Sequence, residues 1–196
     1  MSSVDAVAAA IAAGELVVIP TDTVYGLACR PDCEDAVREL SVLKRRSSGQ
    51  PIALIAASAE TLIELIPELP AHMLIRGAFT VVVPNPAQRL PWLAGRGADT
   101  IGVRIPAVDD GAADLLARVG VVAATSANLH GGPDPRRLED VPGEILDGVA
   151  AVLDGGELPG IPSTVLDLTG PEPVVLREGA VPAAEALARV AEAVRQ

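Results

Sequence analysis

The fold class predicted for this chain is α/β, a twisted mixed β-sheet covered by helices, and three features predict it. Apolar strand-like runs alternate with helically spaced segments in the N-terminal part of the chain. Shorter strand pairs separated by Gly/Pro turns follow in the C-terminal part. Of 196 residues, 49% are apolar but only 2% aromatic, so the core must be packed with Ala, Val, Leu and Ile. That length suits one large domain over residues 1–196, with no internal repeat or interdomain linker.

Residues 4–13 combine helical spacing with good helix formers, and Gly14 suits a C-cap. Residues 16–19 read as a buried strand that stops at Pro20, because proline has no N–H for a sheet ladder. Thr21, Asp22, Thr23 and Tyr25 are then too polar for core. They read either as a turn and helix N-cap or as ligand-binding groups at a strand's carboxyl end, where open α/β sheets bind ligands. Residues 35–43 form a helix with Ala36, Val37, Leu40 and Leu43 on one face, and Lys44-Arg45-Arg46 at its end suits the helix dipole. Residues 47–51 are a loop by composition, followed by an apolar strand over 52–56 and a short helix starting near Ser58.

Residues 79–83 read as a strand closed by Pro84, and 85–99, rich in Pro, Gly and Arg, as a long surface loop. In the strand 100–105 the period of two places Thr100, Gly102 and Arg104 on one face and Ile101, Val103 and Ile105 on the other. One face is thus suited to polar contact. Residues 112–118 are a helix, 121–124 a buried strand, and 125–128 (Thr-Ser-Ala-Asn) a polar turn at its end. Residues 130–143 are loop-like, 151–153, 164–168 and 174–176 are strands, and 183–195 form a terminal helix.

Composition narrows the function classes. A net charge of −11 disfavours nonspecific binding to nucleic acid, which normally needs a basic face, and it makes the local cluster Lys44-Arg45-Arg46 stand out. Cys29 and Cys33 have no matching Cys/His pair and read as ordinary reduced thiols. His72 and His130, far apart in sequence, give no local support to a Ser-His-Asp constellation or a His-rich metal site. No run approaches the roughly 20 apolar residues of a membrane span. The N-terminus also lacks a basic segment leading into an apolar signal core. A cytoplasmic protein with no membrane partner is expected.

Thr23, Arg104, Ser126, Asn128 and Ser163 all fall at strand ends or on one strand face. Guanidinium and ammonium groups bind phosphate and carboxylate, and hydroxyl-rich turns add hydrogen bonds, so the expected ligand is anionic. Each residue alone also has a structural reading: Lys44 and Arg46 as a solvated helix end, Ser126-Ala127-Asn128 as a turn, Arg104 as an ion pair. Neither a Walker-type loop nor a dinucleotide-binding glycine fingerprint is present, so a nucleotide would need another cradle.

The segments Pro20-Thr-Asp-Thr-Val-Tyr-Gly-Leu27, Lys44-x-Arg46 with Gln50-Pro51, Arg104-Ile-Pro106, Ser126-Ala-Asn128, Pro162-Ser-Thr-Val165 and Leu176-Arg-Glu-Gly179 occur in the order found in the YrdC/Sua5 family, which the chain resembles from residue 10 to residue 180. The resemblance implies a YrdC-like sheet with a concave ligand-binding face, in the short single-domain form. It also implies L-threonylcarbamoyladenylate synthase activity. ATP, L-threonine and bicarbonate would yield threonylcarbamoyl-AMP and pyrophosphate, for threonylcarbamoylation of adenosine 37 in tRNAs reading codons that begin with A. Carried over by position, Thr23, Arg104 and Ser163, with the backbone near Ala124, would hold threonine. Arg46, Gln50, Thr100, Ser126, Asp134 and Arg177 would contact ATP. Lys44 and Asn128 complete the Lys-x-Arg and Ser-x-Asn pairs, so that Lys44, Arg46, Ser126 and Asn128 form the catalytic set at the phosphates. Magnesium would accompany the triphosphate, held by phosphate oxygens and water, with no protein ligand assigned. A downstream threonylcarbamoyl transferase complex would take the product, and contact with tRNA would be weak or indirect.

The chain departs from the family at several points. Ile75-Arg-Gly-Ala-Phe-Thr80 stands where the family often has Trp-Pro-Gly-Pro-Leu-Thr, which loosens the segment and places the cation Arg76 near the expected pocket wall. Lys44-Arg-Arg-Ser47 keeps both charges of Lys-Gly-Arg-Pro but not the proline, and Ile55 replaces a threonine-contacting histidine of some members. Two other readings compete with the synthase: a divergent paralogue acting on another carbamoyl acceptor, and a non-catalytic RNA- or ribosome-binding module.

Overall fold

The computed structural model describes residues 2–195 except 48, 96, 109 and 194. Helix α1 (Val4–Ala12) is capped by Ser3, whose hydroxyl accepts from the Ala6 N–H at 3.2 Å. Strands β1 (Val17–Ile19) and β2 (Gly26–Cys29) then pair antiparallel on either side of the polar turn. Helix α2 (Glu34–Leu43), strand β3 (Ala53–Ala56) and helix α3 (Ala59–Leu65, capped by Ser58) follow. Next come β4 (Phe79–Pro84), β5 (Thr100–Arg104), α4 (Asp110–Val119) and β6 (Val121–Ser126). The chain ends with α5 (Gly143–Asp147), β7 (Ala151–Val152), β8 (Thr164–Asp167), β9 (Val174–Arg177) and α6 (Ala183–Ala193).

The strands form one nine-stranded sheet in the order β7-β1-β2-β6-β3-β5-β4-β8-β9. Pairs β1/β7, β3/β5 and β4/β8 are parallel and the others antiparallel, as a mixed sheet requires. Alternation along the strands divides the core in two. On one face Val18, Leu27, Leu54, Val81 and Val103 pack with Leu40 of α2, Leu62 of α3 and Val190 of α6. On the other, Val17, Ile19, Ala28, Val122 and Ala124 pack with Val7 and Ile11 of α1 and Leu115 of α4. Helices α1 and α4 pack chiefly against β7, β1 and β6, and the second face is open over β5, β4 and β8. No helix among the described residues is long and apolar enough to cross a membrane.

Several expectations need correction. The segment 26–29, to which the sequence assigned no strand, is strand β2; its small side chains gave no strand signal, and pairing with β1 and β6 decides its conformation. Thr125 and Ser126 belong to β6 rather than to a turn, because Leu27 and Gly26 of β2 pair with them. Helix α5 begins at the end of the expected loop 130–143, behind the turn signals Pro142 and Gly143. The segment 85–99 is not merely superficial: the Asn85 side chain donates to the Arg89 and Ala98 carbonyls, and Asn85 and Leu93 are fully buried. Cys29 is buried with its thiol pushed up to about 12 by desolvation, in line with an inert thiol.

Candidate functional site

The uncovered sheet face is the floor of a cavity of about 500 Å³. Register explains its composition. Ile55 pairs with Arg104, while Ala53 pairs with Ala124, Val82 with Gly102 and Asp167, and Thr80 with Val165, so alternate residues of five strands point into one space. Gly26, Ala53, Gly102 and Ala124 keep that floor low, which lets a ligand lie close to the sheet.

One end of this cavity carries a buried guanidinium. The Arg104 guanidinium is 7% exposed and its Nη2 donates to Thr23 Oγ1 at 2.9 Å and to Asp22 Oδ1. Its Nε is buried without a hydrogen-bond partner among the described residues. An arginine donor so placed costs free energy. Burial opposes the charge on Arg104, Asp22 supports it, and the neighbouring charge of Arg177 opposes it. Arg104 is therefore both the ion-pair member and the cavity residue that the sequence left as alternatives.

The hydroxyls have a defined polarity. Thr21 Oγ1 donates to the Val24 carbonyl at 2.7 Å and lies 3.0 Å from Thr23 Oγ1, so the Thr23 proton is directed to Thr21. Thr23 also accepts from Arg104, and its remaining lone pair can accept from a ligand's amine or hydroxyl. Across the cavity Ser163 Oγ sits 3.0 Å from Thr80 Oγ1, and Arg177 donates to the Ser163 carbonyl at 2.7 and 3.2 Å. Tyr25 is fully buried and braces the turn. Its hydroxyl lies 2.8 Å from both Asp154 Oδ1 and the Gly156 carbonyl and accepts from the Gly155 N–H, and desolvation raises its pKa to about 12. The turn is thus braced by Tyr25 and faces the cavity at once.

Gly179 holds the other wall. A Cβ there would lie 2.2 Å from the Pro162 carbonyl oxygen and 2.6 Å from the Ser163 carbonyl carbon, both backbone atoms. Gly179→Ala must displace the segment carrying Ser163, and we expect a loss of about 3 kcal/mol of stability, seen as a lowered melting temperature.

A second cavity of about 300 Å³ adjoins the first, with Thr125, Ser126 and Arg177 lining both. Arg46 spans its edge, donating to Gln50 Oε1 at 3.0 Å and to the Pro51 carbonyl at 3.0 Å. Lys44, 5% exposed, reaches from the end of α2 under the end of β6. Its ammonium donates to the Ser126 and Asn128 carbonyls at 2.5 and 2.9 Å and to Asn128 Oδ1 at 2.5 Å, which uses all three protons. Ser126 Oγ donates to the same Asn128 Oδ1 at 2.7 Å, and Asn128 Nδ2 donates to the Gly132 carbonyl at 2.6 Å. Lys44 therefore stitches the turn after β6 while leaving its charge beside the cavity.

Burial, then the neighbouring Arg46, push the Lys44 ammonium down to about 8 from 10.5, and Asp134 pulls the other way. Deprotonation would remove the positive charge beside the second cavity. The folded chain loses this proton before the unfolded chain does, so between about 8 and 10.5 linkage favours folding as pH rises. Activity should therefore fall through about pH 8 without any Lys44-linked fall in melting temperature. Lys44→Arg, which stays charged, should move that limb upward; paired pH-rate and melting profiles check both.

Every residue assigned from sequence lines one cavity or the other. Thr23, Arg104, Ala124 and Ser163 line the first, as does Thr100, which was placed with ATP. Lys44, Arg46, Gln50, Asn128 and Asp134 line the second, and Ser126 and Arg177 belong to both. Ile55 faces the first cavity, but Arg76 is exposed and outside both, so the added cation does not enter the pocket wall. Sequence reasoning missed Asp22 as the partner of Arg104, Thr80 as the partner of Ser163, and His130, set aside there, as a lining residue of the second cavity. Asp22 was visible beside Thr23, but nothing in the sequence indicated where it turns.

Comparison with known proteins gives these cavities a family. The Sua5/YciO/YrdC family model, described as "Telomere recombination", matches residues 9–179. A protein of Pyrococcus abyssi (strain GE5 / Orsay) named threonylcarbamoyl-AMP synthase is 36% identical over 88% of this chain, which spans about half (52%) of that relative's length. A putative threonylcarbamoyl-AMP synthase of Mycobacterium tuberculosis (strain ATCC 25618 / H37Rv) is 39% identical, covering 88% of this chain and 82% of the relative. The crystal structure of P. abyssi Sua5 complexed with L-threonine superposes with a TM-score of 0.83 at 33% identity, over 96% of this chain and 57% of that one. From the family-model match across most of its length, the chain belongs to the Sua5/YciO/YrdC family.

Proposed function

We propose that this chain is an L-threonylcarbamoyladenylate synthase, a nucleotidyltransferase that joins ATP, L-threonine and bicarbonate into threonylcarbamoyl-AMP and pyrophosphate for tRNA modification. The observation that carries this reading is the buried Arg104 guanidinium in a hydroxyl-lined cavity that shares Ser126 and Arg177 with a second one bearing Lys44 and Arg46. An amino-acid carboxylate fits the first and a polyphosphate the second. The names of the relatives and the threonine-complexed Sua5 structure support the same assignment.

In this reading threonine lies with its carboxylate at Arg104 and a donor group at Thr23, between Ser163 and the Ala124 backbone. Its amine and bicarbonate form a carbamate with loss of water. A carbamate oxygen bonds to the α-phosphorus as the bond to pyrophosphate breaks, so the chain needs no nucleophile of its own. Two anions must approach, and the cations Lys44, Arg46 and Arg177 offset their repulsion while the walls fix the in-line geometry. Thr100, in the first cavity, places the nucleoside beside threonine; Gln50, Ser126, Asn128 and Asp134 line the path of the phosphates.

Magnesium fits this donor set as a companion of the triphosphate. Among the described residues no group of three or more His, Cys, Asp or Glu could hold an ion, and Asp134 is the one carboxylate lining the second cavity. Phosphate oxygens and water would carry it, with Asp134 at hand, and the ion would neutralise charge on the leaving pyrophosphate. The product is a labile mixed anhydride, to be received by a threonylcarbamoyl transferase complex in the cytoplasm, with tRNA contact weak or indirect. The test is pyrophosphate release by the purified chain with magnesium: it should require threonine and bicarbonate together. Release independent of threonine, or dependent on carbamoyl phosphate instead, refutes the reading.

A further inference from the structure

Asp22 does not line either cavity, yet it is tied to the Arg104 end of the first more closely than any other carboxylate. Its side chain is 9% exposed, its Oδ1 accepts from Arg104 Nη2, and its Oδ2 accepts from the Ala107 N–H at 2.8 Å. The turn that carries it joins β1 to β2, and β6 and β3 separate β2 from β5, which ends at Arg104. Asp22 thus reaches across the end of the sheet to Arg104 and Ala107. Pro106 has no N–H, so Ala107 supplies the next backbone donor along the segment leaving β5. One carboxylate therefore fixes both the guanidinium and the backbone just beyond it.

From this geometry we propose that Asp22 is a positioning residue: it holds the Arg104 guanidinium at the cavity, where it meets the carboxylate of the amino-acid substrate, a role that rests on the function proposed above. Without Asp22, Arg104 keeps a hydrogen bond only to Thr23 and feels the unopposed charge of Arg177. The guanidinium then swings out of the place that Asp22 sets for it, and its Nε–H opens to water. Asparagine has the same shape but one oxygen and no charge, so Asp22→Asn can serve Arg104 or Ala107 but not both.

The experiment compares the wild-type chain with D22N by titration calorimetry against L-threonine and against ATP with magnesium, and by NMR of the arginine Nε–H groups, with R104K identifying the Arg104 signal. In D22N, threonine affinity should fall about 10-fold to 100-fold, ATP affinity should stay unchanged, and the Arg104 Nε–H should exchange rapidly with water. Unchanged threonine affinity, an equal loss for both substrates, or an Arg104 signal as protected as in the wild type overturns the proposal. If the wild-type chain itself does not bind L-threonine, the proposed function fails, and the Arg104 signal still decides whether Asp22 holds that side chain.

Discussion

Arg104→Ala should abolish threonine-dependent pyrophosphate release and also lower stability. Two costs add. In the proposed function the substrate loses the guanidinium at its carboxylate, and truncating one member of a buried hydrogen-bonded charge pair typically costs about 2–5 kcal/mol of binding, or about 30-fold to 4,000-fold in affinity. The fold meanwhile retains Asp22 as a nearly buried carboxylate that has lost its cation, worth about 3–5 kcal/mol in stability. Arg104→Lys separates the two. It keeps a charge near Asp22 and so restores much of the melting temperature. A point-like ammonium cannot reach Asp22, Thr23 and a ligand with the same fork of donors, so threonine binding should stay impaired. Thermal unfolding and threonine titration of both variants check this; full threonine affinity in Arg104→Ala would remove the anion site from its assigned place.

Arg177→Ala should damage both substrate sites together, in contrast to the selective effect expected for Asp22. Arg177 lines both cavities and its guanidinium holds the Ser163 carbonyl through Nε and Nη2. Removing it frees the wall that carries Ser163 and deletes a cation where the two anions meet. By analogy with deletion of one preorganised donor to a developing anion, kcat should drop about 100-fold to 1,000-fold. The KM values for ATP and threonine should rise in parallel. A change confined to one substrate would mean that the cavities act independently rather than as one bipartite site.

The legible and illegible parts of this chain divide along physical lines. Strands β1, β3 and β5 and helix α2 were legible because each carries its own periodicity and a local stop, such as Pro20 after β1. Strand β2 was not, since Gly26-Leu27-Ala28-Cys29 is extended only because β1 and β6 flank it. That these residues come together was readable from motif order. Their division between two cavities was not, because it depends on the strand order β2-β6-β3-β5. Asp22 and Arg104 show the limit most sharply, as 82 positions separate two side chains that share a hydrogen bond. Lys44 shows a second limit: its charge was evident, but its three committed protons required the geometry of the turn after β6.

The most direct measurement is mass detection of the adenylate itself. The purified chain is incubated with ATP, magnesium, bicarbonate and one amino acid at a time, and the quenched mixture is searched for the corresponding carbamoyl-adenylate. The two-cavity account predicts threonylcarbamoyl-AMP with L-threonine, formed in step with pyrophosphate and absent when bicarbonate is withheld. A carbamoyl-adenylate formed from carbamoyl phosphate irrespective of threonine, or ATP consumption with no adenylate under any amino acid, would contradict it.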